Sequence, residues 1–423
     1  MTRMFALVDC NAFFVSCERV FQPHLEKKPV IVLSSNDGCA ISRSNEAKAL
    51  GIFMGAPLCK IKDIVIKHNV YTFSPNFSLY ADMSARVMET LKVFSQQLEV
   101  YSIDEAFLDL SSIPRHELMA YGSHIKKVIK KWTGIPVSVG IGPTKTLAKV
   151  ANHLAKKHPT GCYTLITPEK TATILKDFPL QDVWGVGAQW SKKLSSLGMS
   201  SALDLAQKDT RWVGKAFNVI LSRTALELRG VSCLNLEELI SPKKSMISSR
   251  SFGTPIYSFE DLREAVSYHV SSLAQKLRQQ GSKTSLITVS LRTNPFDRKG
   301  SFYSNTLLVP LSFPVSDTSV LIKAAASALE ILFREGLSYK KVGVTVLNLS
   351  PETQRPSFLF NEMNFETSPK RESLLKAVDQ LNDKHGKGSL IFASEGLIKS
   401  WKSKSSWKSP SFTQNWSQLM RVG

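Results

Sequence analysis

Residues 8–14, Val8-Asp9-Cys10-Asn11-Ala12-Phe13-Phe14, and residues 102–110, Ser102-Ile103-Asp104-Glu105-Ala106-Phe107-Leu108-Asp109-Leu110, decide how this chain folds. Each sets a carboxylate at the edge of an apolar strand. The first follows the apolar run 4–8. The second interrupts an alternating segment, Leu98, Val100 and Ser102, that resumes in Phe107, Leu108 and Leu110. Strands carrying these segments bring Asp9 to an acidic hairpin tip, where a third carboxylate is repelled unless a positive charge sits among them. A divalent metal ion meets that need most simply.

At 423 residues the chain is too long for one core and should divide into several domains. Its 43% hydrophobic and 21% charged residues describe a soluble globular protein. The 54 Lys and Arg outnumber the 35 Asp and Glu, leaving a formal charge of +19. So strong a basic excess points to a polyanionic partner, nucleic acid before an anionic membrane face. No apolar run approaches the roughly 18 residues of a spanning helix. The first apolar run is broken by Asp9 and lacks a cleavage site, so it does not read as a signal peptide. Cys10, Cys17, Cys39, Cys59, Cys162 and Cys233 form no C-x-x-C pair and stand near no histidine at zinc spacing. They read as reduced thiols of a cytoplasmic protein.

Along the chain the pattern predicts a strand over 4–9, a helix over 13–20 and an irregular insert over 26–80 that contains a strand at 30–33 and a helix at 45–50. A helix over 81–94 follows, then the acidic hairpin, a lysine-rich helix over 116–131, a strand over 137–141 and a helix over 144–157. The order β, α, β, β, α, β is a split βαβ layout that sets Asp9 beside the hairpin tip. From 168 to 236 the pattern is one of short helices. There Trp184-Gly185-Val186-Gly187, with Lys192 and Lys193 one turn on, has the form of a helix-hairpin-helix, whose glycine turn lets backbone N–H groups approach a phosphate. After a linker at 241–245, a second β, α, β, β, α, β series runs to 349. His269 sits on the apolar face of its first helix and reads as a core-edge residue rather than a ligand. Arg292, beside Arg298 and Lys299, gives the sheet a basic margin suited to a duplex backbone; Arg250 on the first strand is a further expected DNA contact. Residues 394–410, with four lysines and two tryptophans, read as a docking or nucleic-acid tail, or as a solvated basic segment.

Asp9, Asp104 and Glu105 can hold two Mg²⁺ ions, with the Cys10 carbonyl completing a coordination shell. A lone Asp-Glu pair is more often turn decoration, and Asp109, further along the returning strand, reads as structural. Phe13 and Phe14 stand where a ring could lie against a nucleotide sugar. Phe14 would crowd a 2′-hydroxyl, whereas Phe13 suits the core. Cations must meet the phosphates, and Lys48, beside Ser42, Arg43 and Asn45, and Lys156 are the candidates.

Residues 9–18 (DCNAFFVSCE), 45–51 (NEAKALG), 102–110 (SIDEAFLDL), 137–149 (VSVGIGPTKTLAK) and 184–187 (WGVG), in this order, resemble the Y-family of translesion DNA polymerases. Residues 36–39, 249–253 and 419–422 are similar, more narrowly, to its UmuC-type branch. The resemblance covers essentially the whole chain. It implies an α+β multidomain, right-hand polymerase: a ferredoxin-like palm (1–25 and 81–168), small fingers (26–80), a helical thumb with the helix-hairpin-helix (169–240), a βαββαβ little finger (243–349) and a partner-binding tail (350–423). It further implies that Asp9, Asp104 and Glu105 hold the metals, that Phe14 is the steric gate, and that Ser42, Lys48 and Lys156 meet the triphosphate. DNA primer-template and dNTP would be substrates, and a UmuD-type dimer and a RecA filament partners. Two departures stand out. Asn11 and Asn45 replace an Asp and a Tyr common in the family, and Phe358, Leu359 and Phe360 stand in a sliding-clamp peptide that lacks its Gln.

The leading expectation is therefore error-prone, template-directed DNA synthesis across lesions, without proofreading. A non-catalytic damaged-DNA-binding or checkpoint scaffold protein would use the same basic surfaces. A nucleotidyl cyclase explains the carboxylates but neither the glycine hairpin nor the second βαββαβ series.

Overall fold

A computed structural model describes residues 3–237, 241–297, 301–353, 369–399 and 401–419. Two units emerge: residues 1–34, 38–240 and 406–423 form the first, and residues 35–37 with 241–405 the second.

The first unit contains, in chain order, β1 (Phe5–Cys10), α1 (Phe13–Phe21), β2 (Val30–Leu33), β3 (Ala40–Arg43), α2 (Asn45–Ala49), α3 (Leu58–Lys67), β4 (Tyr71–Phe73), α4 (Phe77–Leu91), β5 (Leu98–Val100), β6 (Glu105–Asp109), α5 (Leu118–Thr133), β7 (Val137–Gly142), α6 (Lys145–Ala155) and β8 (Cys162–Thr164). The short helices α7 (Pro168–Asp177), α8 (Ala188–Ser196), α9 (Ala202–Gln207), α10 (Thr210–Ala216) and α11 (Val219–Leu228) complete it. Its main sheet has the order β5-β6-β1-β7-β8, the strand order of a split βαβ fold plus one strand, β8, that the sequence pattern did not separate from the loop after α6. β8 lies parallel to β7, and the other neighbours are antiparallel.

β1 is the central strand and is buried along its whole length, which explains its unbroken apolar run. Its alternation still sorts the residues. Ala6, Val8 and Cys10 face the core shared with α4 and α5, whereas Phe5 and Leu7 pack with Phe107 and Ala148 of α6. Asp9 therefore falls on the α6 side. Gly140 of β7 lets α6 lie against the sheet, since an added Cβ there would come within 2.0 Å of the Asn152 backbone nitrogen. Thr144 caps α6 by accepting the Leu147 N–H. A three-stranded sheet, β3-β2-β4, has its own small core of Ile31, Leu33, Ala40, Ala47, Ile52, Ala56, Ile61 and Val70. α7 to α11 surround another core, into which α6 sends Leu147, Val150 and Ala151.

The second unit holds β9 (Met246–Ile256), α12 (Phe259–Gln280), β10 (Ser282–Thr293), β11 (Ser304–Val315), α13 (Thr318–Leu332), β12 (Tyr339–Pro351) and α14 (Pro369–His385). The expected β, α, β, β, α, β series is present, but its order, β11-β10-β12-β9, puts the first strand at an edge rather than in the middle. α12 and α13 cover one sheet face, with Ile287, Val289, Leu291, Val342 and Val344 beneath them. His269 is 2% exposed and bonded to the Ser248 hydroxyl at 2.8 Å, a core residue as its place on the helix face suggested. α14 is fixed by a bidentate pair from Arg278 to Asp379 (2.6 and 2.8 Å) and by Arg371 on Asp317.

The basic segment after Ser394 is not a solvated tail. Trp401 is 1% exposed in the second unit, against Phe252, Tyr268 and His269. Phe412 is buried in the first unit, stacked on Phe21 at 5.0 Å. Among the described residues no helix is long and apolar enough to cross a membrane.

Candidate active site

Register makes the centre of the site. Antiparallel pairing sets Asp9 of β1 directly opposite Glu105 of β6, and Ser138 of β7 on its other side. Directly paired residues share a sheet face, so the two carboxylates are neighbours on the side covered by α6. α6 supplies the counter-charges. Lys149 reaches Glu105 at 2.9 Å, and Lys156, one residue past the helix and two turns on, reaches Asp9 at 2.7 Å.

Asp9 is 6% exposed, and its burial pushes the carboxyl up to about 7 against the pull of the Lys156 ammonium. Burial also opposes ionisation of Glu105, yet hydrogen bonds from Asp9 and Lys149 hold that group below the ordinary carboxylate range. The two carboxyls are thus pushed apart, Asp9 upward and Glu105 downward. Lys149 is itself enclosed by rings, with its ammonium 4.4 Å from the centre of Tyr101 and 5.3 Å from that of Trp184, whose indole N–H donates to the Tyr101 hydroxyl.

Asp104 is only half assembled into this group. Its carbonyl accepts the Cys10 N–H at 2.8 Å, which pins the hairpin tip to β1, but its carboxylate accepts from the Ser102 hydroxyl at 2.6 Å. Among the described residues no three His, Cys, Asp or Glu side chains gather closely enough to hold a metal ion as they stand. The expected trio is therefore a pair plus a neighbour. The donor chemistry nonetheless fits a hard divalent cation: the ligands are carboxylate oxygens, and Asp9 and Glu105 sit side by side with burial opposing the charge of each. Burial and nearby carboxylates push the Cys10 thiol well up, so only its carbonyl suits such an ion.

Beside Asp9 stands a cationic group. Burial lowers the Lys48 ammonium, and the charges of Arg43 and Lys156 lower it further, while Asp9 opposes them. Arg43 donates to the Ile52 carbonyl at 2.8 Å, and its buried Nε finds no partner among the described residues. Mutually repelling cations with an unmet donor suit a polyphosphate. Ser42 fits the site less well than expected, because its buried hydroxyl faces the Val15 N–H at 3.4 Å in α1.

The chain turns from β1 into α1 through Ala12, held left-handed at φ 44°. This turn sends Phe13 inward, where it is 3% exposed and belongs to the core rather than to a substrate surface. Phe14 remains half-exposed and lies flat on Tyr80, 4.5 Å between centres and 16° between planes. Asn11 accepts from the Ser138 hydroxyl at 2.9 Å, a structural bond.

In the helical region, Gly185 turns the chain at φ 85° and Gly187 caps α8, where nothing approaches an added Cβ. Lys192 is exposed, while Lys193 lies over the rings of Trp190 and Phe217. In the second unit, pairing separates the two expected DNA contacts. Arg292 lies opposite Lys341 on the open sheet face, whereas Arg250 pairs with the buried Val342 and so belongs to the α12 side. Arg298, Lys299 and the clamp residues Phe358, Leu359 and Phe360 lie outside the described residues.

Sequence reasoning missed Lys149 and left Arg43 as a bystander. The signal for Lys149 was its seven-residue spacing from Lys156, which repeats one helix face. None marked Glu18 and Tyr80, which are buried and joined by a 2.7 Å hydrogen bond.

The impB/mucB/samB family model matches residues 8–153, its C-terminal domain model residues 243–357, and a domain of unknown function, DUF4113, residues 372–422. Protein UmuC of Salmonella typhimurium is 42% identical over 99% of this chain and all of that protein. Protein ImpB of the same species is also 42% identical at the same coverage. DNA polymerase IV of Bacillus velezensis is 23% identical over 94% of each chain. Among solved structures, a Y-family DNA polymerase chimera superposes with a TM-score of 0.67 at 22% identity, covering 82% of this chain and 99% of that one. The α+β, right-hand polymerase architecture expected from the motifs is the fold of this chain. By full-length identity, the chain belongs to the impB/mucB/samB family.

Proposed function

We propose that this chain is a DNA-directed DNA polymerase that copies damaged templates, the nucleotidyltransferase of SOS translesion synthesis. The observation that carries the reading is the cross-strand pair Asp9 and Glu105 with the cations Arg43, Lys48 and Lys156 at one side. In this reading the palm is 1–25 and 81–168, the fingers 26–80, the thumb 169–240 and the little finger 243–349. The tail, 350–423, would include the surfaces for a UmuD-type dimer, a RecA filament and the sliding clamp.

Asp9, Asp104, Glu105 and the Cys10 carbonyl would hold two Mg²⁺ ions, whose charge lowers the pKa of a primer 3′-hydroxyl and neutralises the leaving pyrophosphate. The residues of the chain do the rest. Arg43, Lys48 and Lys156 hold the triphosphate and keep its charge beside the carboxylates. Phe14, flat on Tyr80, takes the sugar and leaves no space for a 2′-hydroxyl. The backbone N–H groups around Gly185 and Gly187, with Lys192, meet primer phosphates, and the open sheet face with Arg292 and Lys341 meets the duplex backbone. A fingers lobe of this size, with a core of eight buried residues, would suit distorted template bases and inaccurate copying.

Primer extension over an abasic template tests the reading, with Mg²⁺, a UmuD-type dimer and a RecA filament. Wild-type protein extends, and Asp104→Ala loses extension while still binding primer-template. Equal biological effect and equal DNA binding in both proteins would favour a non-catalytic damage-binding scaffold.

A further inference from the structure

The segment after Ser406 passes behind the ring assigned to sugar selection. Trp407 and Ser74 exchange hydrogen bonds: the Ser74 N–H donates to the Trp407 carbonyl at 3.0 Å, and the Trp407 N–H to the Ser74 hydroxyl at 2.9 Å. A parallel bridge between Ser74 and Lys408 continues the edge strand β4. Asn76, at the N-terminus of α4, donates to the Ser409 hydroxyl at 2.9 Å and to the Pro410 carbonyl at 3.1 Å. The Ser409 hydroxyl in turn donates to Glu18 at 3.0 Å.

Glu18 is 0% exposed. Burial raises its pKa, and donors from Tyr80, Ser409 and Gln22 pull the other way. It is thus a buried acceptor whose place is fixed by who donates to it. One of its oxygens receives both the Ser409 hydroxyl and the Tyr80 hydroxyl. Tyr80 is the platform on which Phe14 lies. Phe412, stacked on Phe21 of α1, anchors the far end of the segment to the same helix that carries Phe14 and Glu18.

We infer that residues 407–412, within the stretch that the family models match as a domain of unknown function, position the sugar gate through the series Ser409, Glu18, Tyr80, Phe14. Glu18 and Ser409 are positioning residues, since neither reaches the nucleotide face of Phe14. The segment acts on specificity because a displaced Tyr80 lets Phe14 retreat, and a 2′-hydroxyl needs only a small retreat. The inference rests on Phe14 being the gate, and the experiment separates the two claims.

The full chain with its partners is assayed for single-nucleotide incorporation of a dNTP and the matching rNTP, as kcat/KM for each. Phe14→Ala, Ser409→Ala and Ser409→Thr are compared with wild type, with melting temperatures measured in parallel. Losing this buried hydrogen bond is expected to raise the rNTP to dNTP ratio roughly ten-fold in Ser409→Ala, with dNTP kcat within about two-fold of wild type. Ser409→Thr keeps the hydroxyl and the wild-type ratio, and Phe14→Ala raises the ratio most. If Phe14→Ala raises the ratio and Ser409→Ala does not, the segment does not position the gate and the inference fails alone. A ratio unmoved by Phe14→Ala removes the gate and the inference with it. Should Ser409→Ala lower the melting temperature or both activities with an unchanged ratio, the segment is only structural and the inference is overturned.

Discussion

Acidification should weaken the second unit through one histidine. His269 has Ser248 on Nδ1, and its Nε2 has no partner among the described residues. Burial, then the charges of Arg250 and Lys276, lowers its pKa from 6.5 to about 4. The unfolded chain takes up a proton as the pH falls through 6.5, while the folded chain resists until about 4. Stability is therefore complete above 6.5 and is lost as the pH falls towards 4. Linkage over that interval gives a loss of ~2 kcal/mol at pH 5 relative to pH 7.5. His269→Gln keeps a partner for Ser248 and cannot titrate. Urea melts of the full chain, read by pulsed deuterium labelling of residues 259–280, should show the advantage of wild type over His269→Gln shrinking by ~2 kcal/mol between pH 7.5 and pH 5. Taking the difference between the two proteins cancels every other titrating group. An advantage that stays constant across that range would refute the argument, because the imidazole would then accept its proton inside the fold.

Gly140→Ala should cost roughly 3 kcal/mol or more, since its new Cβ meets backbone atoms of α6 that cannot yield; melting temperature checks this, and near-native stability would contradict it. Removing the Lys156 ammonium in Lys156→Met should push the Asp9 carboxyl above about 7 in the metal-free protein, as read by ¹³C NMR titration of that side chain. The two arginines of the second unit should separate on DNA. Arg292→Ala should reduce the slope of log affinity against log salt by about one, and Arg250→Ala should leave it unchanged.

Much of this was legible in the sequence because it is local. The run into Asp9 and the alternation around Glu105 name two strands of one sheet, and their spacing supports a split βαβ unit. The second βαββαβ series and the core place of His269 could also be read from periodicity. What stayed hidden depends on pairing partners. Arg250 and Arg292 look alike in sequence, and only the register between β9, β12 and β10 puts them on opposite faces. Asp104 looks like the equal of Glu105, yet a serine two residues back holds its carboxylate. Lys149 counts as a site residue only once α6 lies on β7. The bond between Ser409 and Glu18 spans 391 residues, beyond any local pattern.

That separation has a consequence for how the protein is made. A ribosome adding roughly 5–20 residues per second needs on the order of 20–80 s to travel from Glu18 to Ser409. During that delay the whole second unit is synthesised, while the first lacks Phe412 from its core and a donor to a buried carboxylate. The unit begun first is finished second. A nascent chain can therefore own Asp9, Asp104 and Glu105 well before Tyr80 and Phe14 are held in place from behind, and chaperone dependence should track the late-arriving segment.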